Sequence, residues 1–105
     1  KDLSQFGVPS FDDAGQQIIN VVEKPEVPPS RLAVTGLYVF TASVFERVKS
    51  LNAGKRGELE ITDLLNAYAQ SDQLDHDHIG GFWGDAGTVE GIARCTEALR
   101  LEKLQ

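Results

Sequence analysis

The sequence predicts an α/β fold, a mixed β-sheet with flanking helices. Three observations carry it. The first 23 residues read as a β-hairpin, the run LAVTGLYVF over 32–40 is apolar on both faces, and segments of helical period follow. The order β-β-β-α-α-β-α is mixed and falls short of a complete doubly wound sheet.

The elements follow in turn. Residues 6–11 form a short strand that Pro9 weakens, because proline cannot donate to a ladder and favours an edge. Asp12-Asp13-Ala14-Gly15 is a turn signal. Residues 17–23, with Ile18, Ile19, Val21 and Val22, form the returning strand. Pro25, Pro28 and Pro29 make a stiff local connector. Residues 32–40 read as a central strand, in which Gly36 marks a bulge or a close approach. Ser43-Val44-Phe45-Glu46 has the pattern of a capping box, and Val44, Phe45, Val48 and Leu51 place an amphipathic helix over 43–51. Ile61, Leu64, Leu65 and Tyr68 share a face of a second helix over 61–70, capped near Thr62. A strand is expected within 74–83. Thr88 caps a third helix with a stripe of Val89, Ile92, Ala93, Cys95, Thr96 and Leu99.

Composition bounds the function. The 105 residues amount to one domain or part of one, and 41% hydrophobic with 25% charged residues is a globular balance. A formal net charge of −6 argues against nucleic acid or an anionic membrane as the main partner. It leaves room for an anionic small substrate held by a few placed cations. One cysteine, Cys95, permits no internal disulfide and fits a reducing, cytoplasmic setting. It falls in an apolar helical stripe, as a small core residue does. No apolar run approaches a membrane span, and the first residues lack the apolar core of a secretory signal. With no Met anywhere, the start reads as processed, truncated or engineered.

Three short motifs can carry chemistry, and each has a structural alternative. Glu23-Lys24-Pro25 closes a strand. A carboxylate there accepts several sugar hydroxyls and an ammonium meets a phosphate, or the two are an exposed charged pair. Pro25 biases Lys24 towards an extended backbone. Arg56-Gly57-Glu58 precedes the second helix. Arginine can grip a phosphate bidentately, while Glu58 and Glu60 also suit the positive end of a helix dipole. Trp83-Gly84-Asp85-Ala86-Gly87-Thr88 sets an aspartate between glycines at the mouth of a helix. That carboxylate can reach a hydrated Mg²⁺ or merely serve the turn. His76 and His78 in Asp75-His76-Asp77-His78 share a face if extended, but two ligands are too few for a closed zinc site.

Taken in order, these segments resemble the sugar-1-phosphate nucleotidyltransferases, most of all the C-terminal half of the glucose-1-phosphate thymidylyltransferase branch. The matching stretch runs from Phe6-Gly7-Val8 and Phe11-Asp12 through Glu23-Lys24-Pro25 and Val34-Thr35-Gly36-Leu37-Tyr38. It then takes in Arg56-Gly57-Glu58-Leu59-Glu60-Ile61-Thr62-Asp63 and ends with the Trp83–Thr88 string. The resemblance implies a single partial domain, 1–105, the sugar-phosphate-binding half of a Rossmann-like sandwich. It implies an enzyme that joins a nucleoside triphosphate, dTTP, to a sugar-1-phosphate, glucose-1-phosphate, and releases pyrophosphate. By that analogy Glu23 and the backbone of Gly7 hold sugar hydroxyls, and Val34 lines the sugar pocket. Lys24 and Arg56 bind the sugar phosphate, and Lys24 also offsets charge near the α-phosphorus. Asp85 is one of two aspartates on Mg²⁺. The glycine-rich nucleotide loop and the first metal aspartate of the family have no counterpart in this sequence. Pro9 and Ala86 stand where larger or hydrogen-bonding residues are common. The chain alone is therefore expected to be inactive, because lost positioning is worth about 7–11 kcal/mol of barrier. The uncovered sheet edge and apolar face of half a sandwich predict a homo-oligomer. The alternative is a stand-alone, non-enzymatic binding or assembly module descended from such an enzyme.

Overall fold

A computed structural model describes residues 2–51 and 59–104. One turn of 3-10 helix, Leu3–Gln5, leads into strand β1 (Gly7–Phe11), which pairs antiparallel with β2 (Ile18–Glu23). Three helices follow: α1 (Val44–Ser50), α2 (Ile61–Gln70) and α3 (Val89–Lys103).

The hairpin forms where the alternating apolar run predicts it. Asp12 N–H donates to Gln17 O at 2.9 Å, and Gly15 N–H donates to Asp12 O at 2.9 Å. Gly15 takes φ +70°, a region open to glycine at no steric cost. Asp12 Oδ1 accepts from the Gln16 and Gln17 amides, which holds its carboxyl below the ordinary value. Past the turn the register slips: Ser10 faces Asn20 but Phe11 faces Ile18, so Ile19 is the extra residue of a bulge. The slip turns Ile18 inward to 7% exposure and leaves Ile19 at 52%. Ile18 then joins Val21 and Leu65 in the core, with Phe11, Val34, Tyr38, Phe40 and Leu74 packed around them.

Helix α2 is fastened to the outer edge of β2 by two side chains. Thr62 Oγ1 donates to Glu23 Oε2 at 2.6 Å. The Asn66 amide answers both backbone groups of Val21, accepting from its N–H at 2.7 Å and donating to its C=O at 2.9 Å. The spacing explains why both contacts form. Four helical residues rise about 6 Å, and two strand residues about 6.6 Å. Thr62 and Asn66 therefore match Glu23 and Val21 on a helix that runs antiparallel to the strand. Helix α1 is tied to α2 through Arg47. Its guanidinium lies 4.2 Å above the Tyr68 ring and donates to Ala67 O and Ser71 Oγ, each at 3.0 Å, and to Gln73 Oε1.

Several expectations are corrected. Residues 32–40 are extended, but no ladder forms along them among the described residues. Val34 N–H donates to Gly7 O at 2.8 Å on the free edge of β1. Because Lys24 N–H bonds Phe6 O, the alternation directs Gly7 and Pro9 to that free edge. Pro9 has no N–H, so the edge lacks its next donor and the pairing stops after one bond. Leu37 and Val39 stay 76% and 94% exposed, not central. Gly36 marks neither a bulge nor a close approach, since the space beside it is open. The strand expected in 74–83 is likewise absent among the described residues. Ser43 makes no capping bond; its hydroxyl meets Thr41 Oγ1 at 2.7 Å and Tyr68 OH at 3.2 Å, and Glu46 pairs with Lys49. Glu60 stands at the N-cap of α2, while Thr62, the second residue of the helix, spends its hydroxyl on Glu23. Thr88 does cap α3, accepting from Gly91 N–H at 3.0 Å.

The molecule is open for its size. A compact chain of 11.5 kDa exposes about 5800 Å² and one of 105 residues has a radius of gyration near 13 Å; this chain exposes 8144 Å² with a radius of 15.7 Å. The excess, about 2300 Å², includes an open groove of about 1230 Å³ bordered by Pro9, Val34, Tyr38, Leu65, Leu74 and Trp83. It also includes most of the stripe on α3, where Val89, Ile92 and Leu99 stay exposed. Among the described residues no helix is long and apolar enough to cross a membrane.

Candidate functional site

Four of the six expected site residues meet at the open end of the hairpin. Gly7 faces Glu23 across the two strands. A Cβ on Gly7 would lie 3.5 Å from Glu23 Oε2 and 3.7 Å from Val34 Cβ, so the side chains of Glu23 and Val34 close around the Gly7 backbone. Val34 is held there by its bond to Gly7 O, and Lys24 by its N–H to Phe6 O at 3.0 Å.

The carboxylate of Glu23 is oriented. Thr62 is 6% exposed and donates to Oε2; Oε1 has no partner among the described residues. A half-buried carboxylate with one oxygen fixed and one open can accept from a polyol hydroxyl. Tyr38 stands near enough to feel its charge. Burial pushes the Tyr38 phenol up first, and the negative charge of Glu23 adds to it. Thr62 and Tyr38 thus join the site, although sequence reasoning assigned them only to a helix cap and a strand. For Thr62 the available signal was its spacing: it and Asn66 lie four apart, on one face of α2.

Lys24 departs from the extended backbone that Pro25 favours. Its φ is +45°, in the left-handed region that costs a non-glycine residue about 1–2 kcal/mol. The conformation completes the ladder at Phe6, buries Pro25, and leaves the Lys24 side chain exposed beside Glu23. This is how neighbours on a strand, expected to face opposite ways, come to serve one end of it. Arg56 lies outside the described residues. The segment that carries it leads into α2, whose second residue is Thr62.

Asp85 sits on the exposed loop before α3, two residues after Trp83, whose ring meets Phe6 edge-on at 5.3 Å between centroids. That contact ties the loop to the residue before Gly7. Asp85 Oδ1 accepts from Gly87 N–H at 3.1 Å. As a hard oxygen donor in a sterically open turn, Asp85 suits one position on a phosphate-borne Mg²⁺, which takes one or two carboxylates with waters and phosphate oxygens. No group of three or more ligating side chains occurs among the described residues. His76 and His78 do approach, with ring centroids 5.6 Å apart, but His76 also packs against the Phe11 ring in an edge-type contact. The cleft of about 450 Å³ near Asp12, Asp72 and His76 contains none of the expected site residues.

A sequence profile of the nucleotidyl transferases matches residues 1–102. The chain belongs to the nucleotidyl transferase family. A low-salt glycan biosynthesis nucleotidyltransferase of Haloferax volcanii is 36% identical over 100 residues, which are 94% of this chain and 28% of that protein. A glucose-1-phosphate thymidylyltransferase of an Actinoplanes species is 39% identical over 101 residues, 94% of this chain and 33% of the relative. A crystal structure assigned as a glucose-1-phosphate thymidylyltransferase of Bacillus anthracis, in complex with sucrose, superposes with a TM-score of 0.84. It is 39% identical over 95% of this chain and 40% of its own. The nucleotidyltransferase chain thus spans about a third of the length of the curated relatives it matches.

Proposed function

We propose that this chain is the sugar-phosphate-binding, C-terminal portion of a nucleotidyltransferase that joins dTTP to glucose-1-phosphate and releases pyrophosphate. The observation that carries the reading is the convergence of Gly7, Glu23, Lys24 and Val34 at one end of the hairpin, with the Glu23 carboxylate held by Thr62. The chemistry of the cluster favours a phosphorylated polyol: an open carboxylate oxygen for hydroxyls, an exposed ammonium for phosphate, and an apolar wall at Val34.

In this reading Glu23 and the Gly7 backbone orient the sugar. Lys24 and Arg56 hold its phosphate, and Lys24 offsets charge as the phosphate oxygen attacks the α-phosphorus in line. The new P–O bond forms as the bond to the β-phosphate oxygen breaks, and pyrophosphate leaves. Such transfer needs positioning and charge compensation more than covalent help from the protein. Bound Mg²⁺ would supply further compensation of phosphate charge, with Asp85 as one ligand.

Two observations support the assignment as a portion of a longer enzyme. The relatives are about three times as long, and the chain leaves about 2300 Å² more surface uncovered than a compact protein of its mass. The 105 residues by themselves bind sugar phosphate but do not turn over. Their uncovered apolar surface drives self-association in isolation. The test is to add a separately expressed nucleotide-binding half from a relative and measure pyrophosphate release. Restored release that K24A or D85A abolishes supports the reading. Restored release that neither variant impairs refutes the site.

A further inference from the structure

Val21 is 3% exposed, yet its backbone groups point away from β1. The alternation that sends Gly7 and Pro9 to the free edge of β1 sends their partners, Glu23 and Val21, to the outer edge of β2. A buried N–H and C=O left unpaired there would each be costly. Asn66 answers both, accepting from Val21 N–H at 2.7 Å and donating to Val21 O at 2.9 Å. A carboxamide carries an acceptor and a donor side by side, whereas a carboxylate offers acceptors alone. Besides its polar bonds, α2 meets β2 through Leu65 against Ile18 and Val21. Apolar packing is non-directional and sets no height along the strand. The Asn66 clasp does set one. Thr62 lies one helical turn before Asn66, level with Glu23, and its bond to Glu23 Oε2 is 2.6 Å long. Sliding α2 by one residue's rise, about 1.5 Å, would carry that bond beyond hydrogen-bonding reach.

We propose that Asn66 is a positioning residue for sugar recognition: its clasp on Val21 sets the height of α2 at which Thr62 fixes one oxygen of the Glu23 carboxylate and leaves the other for a sugar hydroxyl. The proposal rests on the reading of Glu23 as the acceptor of those hydroxyls. Asn66 itself touches no ligand and acts through Thr62. Without the clasp the carboxylate loses its fixed orientation, and binding weakens through Glu23 alone.

The experiment is titration calorimetry of the 105-residue chain with glucose-1-phosphate. Glu23→Ala should weaken binding by about fivefold or more. Asn66→Ala and Asn66→Asp should each do the same, since the aspartate keeps the acceptor and loses the donor. The exposed Gln70→Ala, on the same helix, should change affinity by less than about twofold. In the Glu23→Ala background Asn66→Ala should add less than about twofold, because its effect passes through that carboxylate. A merely structural Asn66 would weaken binding as much without Glu23 as with it, and that result overturns the proposal. Unchanged affinity in folded Asn66 variants also overturns it, while leaving Glu23 as the acceptor. No binding by the wild-type chain, or undiminished binding by Glu23→Ala, overturns the sugar reading and the proposal with it. If neither Asn66 variant folds, amide exchange decides. Linkage requires saturating glucose-1-phosphate to slow exchange of the Val21 amide by about threefold or more in the wild-type chain, and not in Thr62→Val. Unchanged Val21 exchange in the wild-type chain overturns the proposal.

Discussion

Lys24→Gly offers a direct separation of stability from binding. Lys24 holds φ +45°, and relief of that strain is worth about 1–2 kcal/mol. Glycine gives back about 0.5–1 kcal/mol, because its unfolded chain has more freedom to lose. The side chain is exposed, so its removal forfeits little packing. Lys24→Ala keeps the strain and loses the same ammonium, which makes it the proper reference. K24G should therefore be more stable than K24A by about 0.5–1 kcal/mol, or about 2–8 °C in Tm for a domain of this length. Both variants should bind glucose-1-phosphate about 10- to 100-fold more weakly, the equivalent of one hydrogen bond to a charged group at about 1.5–3 kcal/mol. Differential scanning calorimetry and titration calorimetry read the two effects. A K24G protein no more stable than K24A would refute the strain, and undiminished affinity in both would refute the role of the ammonium.

Other outcomes follow from the same geometry. Thr62→Val should lower stability in urea by about 1–3 kcal/mol by leaving a half-buried carboxylate oxygen of Glu23 unpaired, whereas Thr62→Ser should retain most of it. Glu23→Gln should bring the Tyr38 phenol back towards its ordinary value without reaching it, since burial is the larger cause; a spectroscopic tyrosine titration reads this, and no movement would separate Tyr38 from the site. The raised Tyr38 value means that the unfolded chain ionises first, so its contribution to stability is present below about pH 10 and fades above it. Asp12 has the opposite sense. Its folded-state value is lowered, so the stabilisation is present above the unfolded value near 4 and is lost as pH falls through the folded one. Acid unfolding monitored by circular dichroism should therefore be shallower in Asp12→Asn, and an unchanged profile would contradict the turn assignment.

The hairpin and all three helices were legible because local signals decide them. Asp12 and Gly15 set the turn, and the stripe of Leu64, Leu65 and Tyr68 sets α2. The run 32–40 was not, because an apolar pattern announces a strand without showing whether a ladder partner exists. Pro9, twenty-five residues before Val34, removes the donor that would extend the pairing. Within the site, charge and motif order pointed to Glu23, Lys24 and Asp85. The left-handed turn at Lys24 goes with its contact to Phe6, eighteen residues earlier, which no local pattern announces.

In the proposed function the hairpin end is a sugar-phosphate site that works together with a nucleotide-binding half. Mixing the chain with such a half, then supplying dTTP, glucose-1-phosphate and Mg²⁺, tests it by pyrophosphate release. Release is expected from the mixture, none from the chain alone, and loss of release with K24A. Turnover by the chain alone, or release that K24A leaves intact, would contradict it.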